Sequence, residues 1–363
     1  MQIYRRILEK DRTLAMETSF GSNLAHQAAR GGSLYETSVY SQSFINSYMT
    51  LLVDNGVDIA ATDEIGETPL YCAALYRFPK VVDFLARHLT SADDINRASL
   101  YHNETPLGVA VSEAVYHEWE PPNPTIRTLL MAGADVPLLP TVDDDAEDDP
   151  HVDAGDDRYL RQPSALRRQR QLVLSEYREV LNDLPKPAMA ALNAALAPHR
   201  SLAALLTPRL AVGPQEAPFF GWRIASYLFD TEAVNRTITD TLLPFRHTDM
   251  ARRVCTAIEH FVKSALEASS NREVVGPMAN VGGQMVRVPL QCFAVRGQEG
   301  GQPRLLGVRE VVHKARLDEA ARHGVEGVVK GFDDHLGNED CQFEWQHLGY
   351  INKQGQFESL GIN

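Results

Sequence analysis

The stretch that decides the fold of the N-terminal part reads Asp63-Glu64-Ile65-Gly66-Glu67-Thr68-Pro69-Leu70-Tyr71-Cys72-Ala73-Ala74. Gly66 can take a positive φ in a tight turn without steric penalty. Thr68 is a good helix N-cap, and Pro69 suits the first helical position, where a missing N–H is no loss. Leu70 opens an apolar face. The small pair Ala73-Ala74 lets a second helix approach closely, and Val81, Val82, Phe84 and Leu85 supply one. The local reading is turn, helix, helix.

The same frame recurs on both sides. Downstream, Thr105-Pro106-Leu107-Gly108-Val109-Ala110 repeats the helix start, with Asn103 in the slot of Gly66; Asn tolerates the left-handed region better than other non-glycine residues. Its second helix carries Ile126, Leu129 and Leu130 and closes on Gly133-Ala134-Asp135-Val136. Upstream, Gly21-Ser22-Asn23-Leu24-Ala25-His26-Gln27-Ala28-Ala29 fits, with Met49, Leu51 and Leu52 on its second helix and Gly56-Val57-Asp58-Ile59 at the end. These motifs resemble ankyrin repeats, units of about 33 residues that bury their apolar faces only by stacking on neighbours.

The resemblance covers Met16–Val136 and implies about three repeats. Set against the ~33-residue period, the first has about twelve extra residues near Ser33–Phe44 and the third about seven near Val115–Pro121. The second ends on Thr90-Ser91-Ala92-Asp93-Asp94 in place of Gly-Ala-Asp. Residues 1–16, with apolar Ile3, Ile7, Leu8 and Leu14, are expected to form an N-terminal capping helix. For function the resemblance implies docking of a protein partner on the turn tips and first helices. Thr62, Glu64, Ile65 and Glu67 form one tip, and Tyr101, His102 and Glu104 the next. Leu75, Tyr76, Ser112 and Glu113 fall at the outward helix slots.

The chain has 363 residues and is 44% hydrophobic, enough for two or three domains. Its net charge of −13 is concentrated: Asp143–Asp157 holds nine acids and no base, and the remainder is nearly balanced. Charge therefore does not indicate a nucleic-acid binder. Cys72, Cys255, Cys292 and Cys341 are far apart with no C-x-x-C, which points to reduced thiols in a cytosol. No cleavable signal peptide is visible, so export to a host cell would need another signal. The most apolar stretch, Ala188–Val212, is interrupted by Pro198, His199, Arg200, Pro208 and Arg209, so no membrane span is expected.

The division expected is 1–136 for the repeats, 137–157 for an acidic flexible linker, 158–217 for a helical connector and 218–363 for an α+β domain. The fold class is thus mostly α, with an N-terminal solenoid followed by a helical segment and an α+β C-terminal domain. Leu174, Tyr177, Leu181 and Leu184 make the arginine-rich start of the connector an amphipathic helix. An alanine-rich helix Ala188–Ala197 is expected to end at Pro198, with a short one at Leu202–Leu206. Phe219, Phe220, Trp222, Ile224, Tyr227, Leu228 and Phe229 read as a core helix. Val254, Ala257, Ile258, Phe261, Val262, Ala265 and Leu266 keep the 3.6 period of a long one.

Residues 269–283 read as loop. Met285–Val295 and Arg304–His313 read as a hairpin with Arg296 facing Arg304, and Asn352–Gly355 as the turn of another. In that register Cys292 and His313 would lie about 16 Å apart at ~3.3 Å per residue, too far for a thiol–imidazole pair. Asp333, Asp334, His335, Asp340, Cys341 and His347 are metal-ligand types at no recognised spacing. No cofactor motif is seen, and no catalytic residue is assigned. The main functional reading is protein–protein interaction. The alternative is an ankyrin-targeted enzyme, like bacterial effectors, whose C-terminal domain modifies the bound protein.

Overall fold

The computed structural model describes residues 1–31, 40–143, 145–152, 159–210, 217–245, 247–297, 302–333 and 335–362. The chain is mostly helical, with a small antiparallel sheet region near its C-terminus. It divides into two compact units, Met1–Val180 with Pro244–Thr248 and His323–Glu326, and Leu181–Leu243 with Asp249–Arg322 and Gly327–Asn363. Among the described residues no helix is long and apolar enough to cross a membrane.

In the first unit α1 (Gln2–Lys10) precedes three helix pairs: α2 (Leu24–Arg30) with α3 (Gln42–Asp54), α4 (Pro69–Leu75) with α5 (Pro79–His88), and, after the short α6 (Ala92–Asn96), α7 (Pro106–Tyr116) with α8 (Pro124–Met131). α4 packs between α2 and α7, and α5 between α3 and α8, so first helices form one row and second helices another. Local chemistry sets each start. Asn23, Thr68 and Thr105 cap α2, α4 and α7, each side-chain oxygen accepting from a backbone N–H two or three residues on. The turns use the left-handed region, with φ +74° at Gly21, +77° at Gly66 and +53° at Asn103. The core is built from the periodic positions: Leu70, Val81, Val82, Leu85, Ile126 and Leu129 are fully buried. Tyr4 of α1 packs edge-on against Tyr48 of α3 at 5.3 Å.

The insertion expected near Ser33–Phe44 lies largely outside the described residues, and α3 already begins at Gln42. Residues 144 and 153–157 of the acidic run also lie outside them. The described part makes hydrogen bonds to residues 162–167. Asp148 Oδ1 accepts from Ser164 N at 2.8 Å, Gln162 Oε1 accepts from Asp149 N at 2.9 Å, and Arg167 donates to Ala146 O at 2.6 Å. A carboxylate at a helix N-terminus satisfies an orphan N–H. The helix concerned is α9 (Pro163–Asp183). Its Glu176, 1% exposed, accepts from Asn123 N at 2.8 Å and pairs with Arg127, closing the start of α8.

In the second unit α10 (Pro185–Leu210) packs against α11 (Ala217–Tyr227), α12 (Thr231–Leu242) and α13 (Asp249–Glu267). α10 runs on through Pro198 and Pro208, correcting the break expected at Pro198. A proline inside a helix costs about 3 kcal/mol; burial of Ala195, Leu196 and Ala203 on either side offsets it. α11 corrects a second expectation. Its Trp222 is buried and donates to Ala265 O at 3.2 Å, while Phe219, Phe220 and Tyr227 are exposed. α13 buries six of the seven positions of its 3.6-residue pattern and leaves Leu266 half-buried.

Residues 269–283 contain α14 (Asn271–Val275) and β1 (Met278–Val281), which pairs with β2 (Gln284–Arg287), so the loop expected there is only partial. β3 (Phe293–Val295), β4 (Arg304–Leu306), β5 (Leu348–Ile351) and β6 (Phe357–Ser359) form an antiparallel sheet in the order β4-β3-β5-β6. Val295 faces Arg304, one residue off the expected register. The segment expected to extend as strand to His313 turns into α15 (Val308–His323), because Val308, Val311, Val312 and Ala315 bury at helical spacing. The β5–β6 hairpin has its turn where expected, with Gly355 at φ +77°.

Candidate recognition surface

The turn tips of the three helix pairs are joined by backbone hydrogen bonds. Phe20 O accepts from Glu64 N at 3.3 Å, and Ile65 O accepts from Tyr101 N at 3.3 Å. Four large apolar or amphipathic side chains stand out from this ladder: Phe20 at 79% exposed, Ile65 at 44%, Leu100 at 84% and Tyr101 at 76%. The turns are close-packed on one another. A Cβ on Gly66 would lie 2.4 Å from Leu100 Cγ, and one on Gly21 would lie 2.8 Å from Glu64 N.

Beneath the tips runs a buried polar network. Asp63 Oδ1 accepts from Ile65 N at 3.1 Å and Glu67 N at 2.9 Å, while Oδ2 accepts from Arg30 at 2.6 Å. Glu67 Oε2 accepts from Arg30 at 3.3 Å and from the Cys72 thiol at 3.4 Å. Fully buried His26 donates from Nε2 to Glu67 O at 3.0 Å and accepts at Nδ1 from Asn23 N at 3.2 Å. Nδ1 also lies 2.8 Å from Asn23 Oδ1, and burial lowers the pKa of the ring below the ordinary value of 6.5. Each group of this network is fixed by a partner from a neighbouring turn or helix, so the tips sit on a rigid base.

Of the residues expected on the surface, Thr62, Glu64, Ile65, Tyr101 and His102 are exposed, and Leu75, Tyr76, Glu104 and Glu113 are half-buried. Two are corrected. Glu67 is 4% exposed because its carboxylate turns inward to Arg30 and Cys72, and Ser112 is 7% exposed on the packed side of α7. Burial raises the pKa of Glu104 and of Glu113, whose carboxylate lies 3.4 Å from His117.

Sequence reading missed Phe20 and Leu100. Phe20 precedes its turn glycine as Ile65 does, so its slot was legible; Leu100 was not, because its place over Gly66 depends on how two turns stack. A second cluster was missed at the ends of the first helices. Arg77, at φ +59°, sets its guanidinium 3.0 Å from the Trp119 ring centroid. Trp119 stacks on His117 at 5.3 Å, and His117 meets Tyr116 edge-on at 5.0 Å. Arginine, tyrosine and tryptophan are the residues enriched at binding hot spots.

In the second unit, His313 lies on α15 and Cys292 just before β3, so the hairpin distance between them does not apply. The imidazole beside Cys292 is that of His260, whose Nε2 donates to Cys292 O at 3.0 Å and lies 3.4 Å from Ser264 Oγ. A cavity of about 930 Å³ opens here. Burial pushes the Cys292 thiol up to about 12, so it stays protonated at neutral pH and lacks the thiolate a nucleophile needs. Asp334 lies outside the described residues; among the rest, no group of three or more His, Cys, Asp or Glu is placed to hold a metal ion.

No curated protein matches the chain. Residues 47–86, from within α3 through most of α5, match the family model described as ankyrin repeats (many copies). With its turn, cap and paired-helix geometry in place around it, that segment is an ankyrin-repeat region.

Proposed function

We propose that residues 1–136 form a three-repeat ankyrin solenoid that docks a folded or extended protein partner across its turn tips. The observation that carries this reading is the row Phe20, Ile65, Leu100 and Tyr101, exposed on a hydrogen-bonded ladder of turns. Isolated exposed apolar residues are ordinary on protein surfaces, whereas a contiguous row of them marks an interaction site. Phe20, Leu100 and Tyr101 bury little of their area, so the fold gains little from them; Ile65 is more deeply set. The Arg77–Trp119 cluster supplies further anchors at the C-terminal ends of the first helices.

The test compares proteins co-purifying with the full chain and with Ile65→Ala, Tyr101→Ala and the exposed helix control Thr50→Ala. Each tip variant should weaken binding of the same partner by roughly 1–3 kcal/mol with an unchanged melting temperature. Thr50→Ala should bind normally. If the tip variants retain the partner while changes confined to residues 218–363 release it, recognition belongs to the second unit.

A further inference from the structure

The second unit contains a pocket of about 430 Å³, a size common among small-molecule sites. Arg309, His313 and Arg316 line it from one face of α15, at i, i+4 and i+7. Lys186 and Met189, from the start of α10, and Lys330 and Phe332, from the segment after α15, complete the walls. Among the described residues, the lining side chains include four cations and no carboxylate.

Arg316 is the unusual member. It is 1% exposed. Its Nε donates to Leu181 O at 2.6 Å, and Nη2 donates to Asn182 Oδ1 at 3.0 Å and Val329 O at 2.8 Å. Nη1 donates to His313 Nδ1 at 3.1 Å. All four acceptors are neutral, and among the described residues Arg316 makes no ion pair. A buried charge is ordinarily paired with a counter-charge, because desolvation outweighs what neutral acceptors return. Burial alone pulls this guanidinium down to about 10.

A guanidinium has five N–H donors, so one on Nη1 remains uncommitted. The same logic fixes His313. Because guanidinium can only donate, His313 Nδ1 accepts, and its proton sits on Nε2, which donates to Asn338 Oδ1 at 2.9 Å. His313 is therefore a neutral support for Arg316 and does not add charge. Asp183 lies 2.7 Å from Lys186 in an exposed pair, and Glu310 and Asp333 adjoin the lining residues Arg309 and Phe332 in sequence without lining the pocket themselves. Lys330 is held by the carbonyl oxygens of Asp333 at 3.2 Å and Leu336 at 2.6 Å. Arg309 is exposed at the mouth.

We propose that this pocket binds a compact organic anion, a carboxylate or phosphate on an apolar or aromatic body, with Arg316 as its buried counter-charge. Arg309 and Lys186 would draw the anion in at the mouth, and Met189 and Phe332 would take the apolar body. The site is independent of the turn-tip surface.

The test is isothermal titration calorimetry on the full chain with phenyl phosphate, benzoate, inorganic phosphate and benzyl alcohol. At least one aromatic anion should bind with a Kd below about 1 mM. Benzyl alcohol and inorganic phosphate should each bind at least about tenfold more weakly, one lacking the charge and the other the apolar body. Whichever of phenyl phosphate and benzoate binds tighter identifies the headgroup. Affinity should fall as salt rises. Arg309→Gln with Lys186→Gln changes only exposed side chains, so the fold should persist while affinity drops about tenfold or more. Equal binding of benzyl alcohol and benzoate, unchanged affinity in the double variant, or no heat from either aromatic anion at about 10 mM would overturn the proposal.

Discussion

Gly66→Ala tests the stacking of one turn on the next. Gly66 sits at φ +77°, where a Cβ costs about 1–2 kcal/mol in backbone strain. The new Cβ would lie 2.4 Å from Leu100 Cγ, 2.7 Å from its Cβ and 2.8 Å from its backbone N. The Leu100 side chain is 84% exposed and can swing aside, but its main chain cannot. The turn holding Tyr101 must retreat, which breaks the 3.3 Å bond from Tyr101 N to Ile65 O, worth about 1 kcal/mol. The total is roughly 2–3 kcal/mol.

Gly56→Ala is the internal control for Gly66→Ala. It has φ +92° but meets only Met16 Sδ at 3.3 Å, at the end of a flexible exposed side chain. It should show the backbone part alone, about 1–2 kcal/mol. Because the chain has two units, a single unfolding transition is not assumed. Hydrogen exchange by mass spectrometry on peptides spanning residues 60–110, with urea titration by circular dichroism, localises the effect. If Gly66→Ala and Gly56→Ala destabilise those peptides equally, the turns are not packed as described.

Leu70→Ala, at a position with no exposed surface, should destabilise the helix-pair unit by roughly 2–5 kcal/mol in the same urea titration, with no loss in the second unit's exchange protection. Burial lowers the pKa of His26, so the folded state binds fewer protons than the unfolded one once pH falls below 6.5. Stability of the 20–75 region should therefore decline as pH drops from 6.5, and His26→Gln should flatten that decline; a pH-independent wild type would contradict the lowered pKa. Native Cys292, with its thiol near 12, should react with iodoacetamide at pH 7.5 far more slowly than in urea, and alkylation at equal rates would show an accessible thiolate.

What was legible in the sequence was what is decided locally. Thr68, Thr105 and Asn23 cap helices because a side-chain oxygen reaches an N–H two or three residues away, whatever the rest of the chain does. Gly66 and Asn103 take the left-handed region for reasons internal to their turns. The 3.6-residue period of α13 marked its buried face before any partner was known. Glu67 failed as a surface residue because its direction is set by Arg30, 37 positions earlier.

The second unit was less legible because long-range packing decides it. Pro198 is a helix breaker by every local rule, yet α10 continues because both flanks are buried against α11, α12 and α13. Val308–His313 carries residues that suit a strand, but its valines meet the core at helical spacing. The anion pocket is the limiting case. Arg316 meets Asn182 from 134 positions away, and neither residue stands in a motif. A lone arginine on a helix reads as a solvated face. What marks it is burial without a counter-charge, a property of the folded molecule that no window of sequence contains. The two sites thus differ in kind: repeated local rules build the recognition surface, and one unpaired charge marks the pocket.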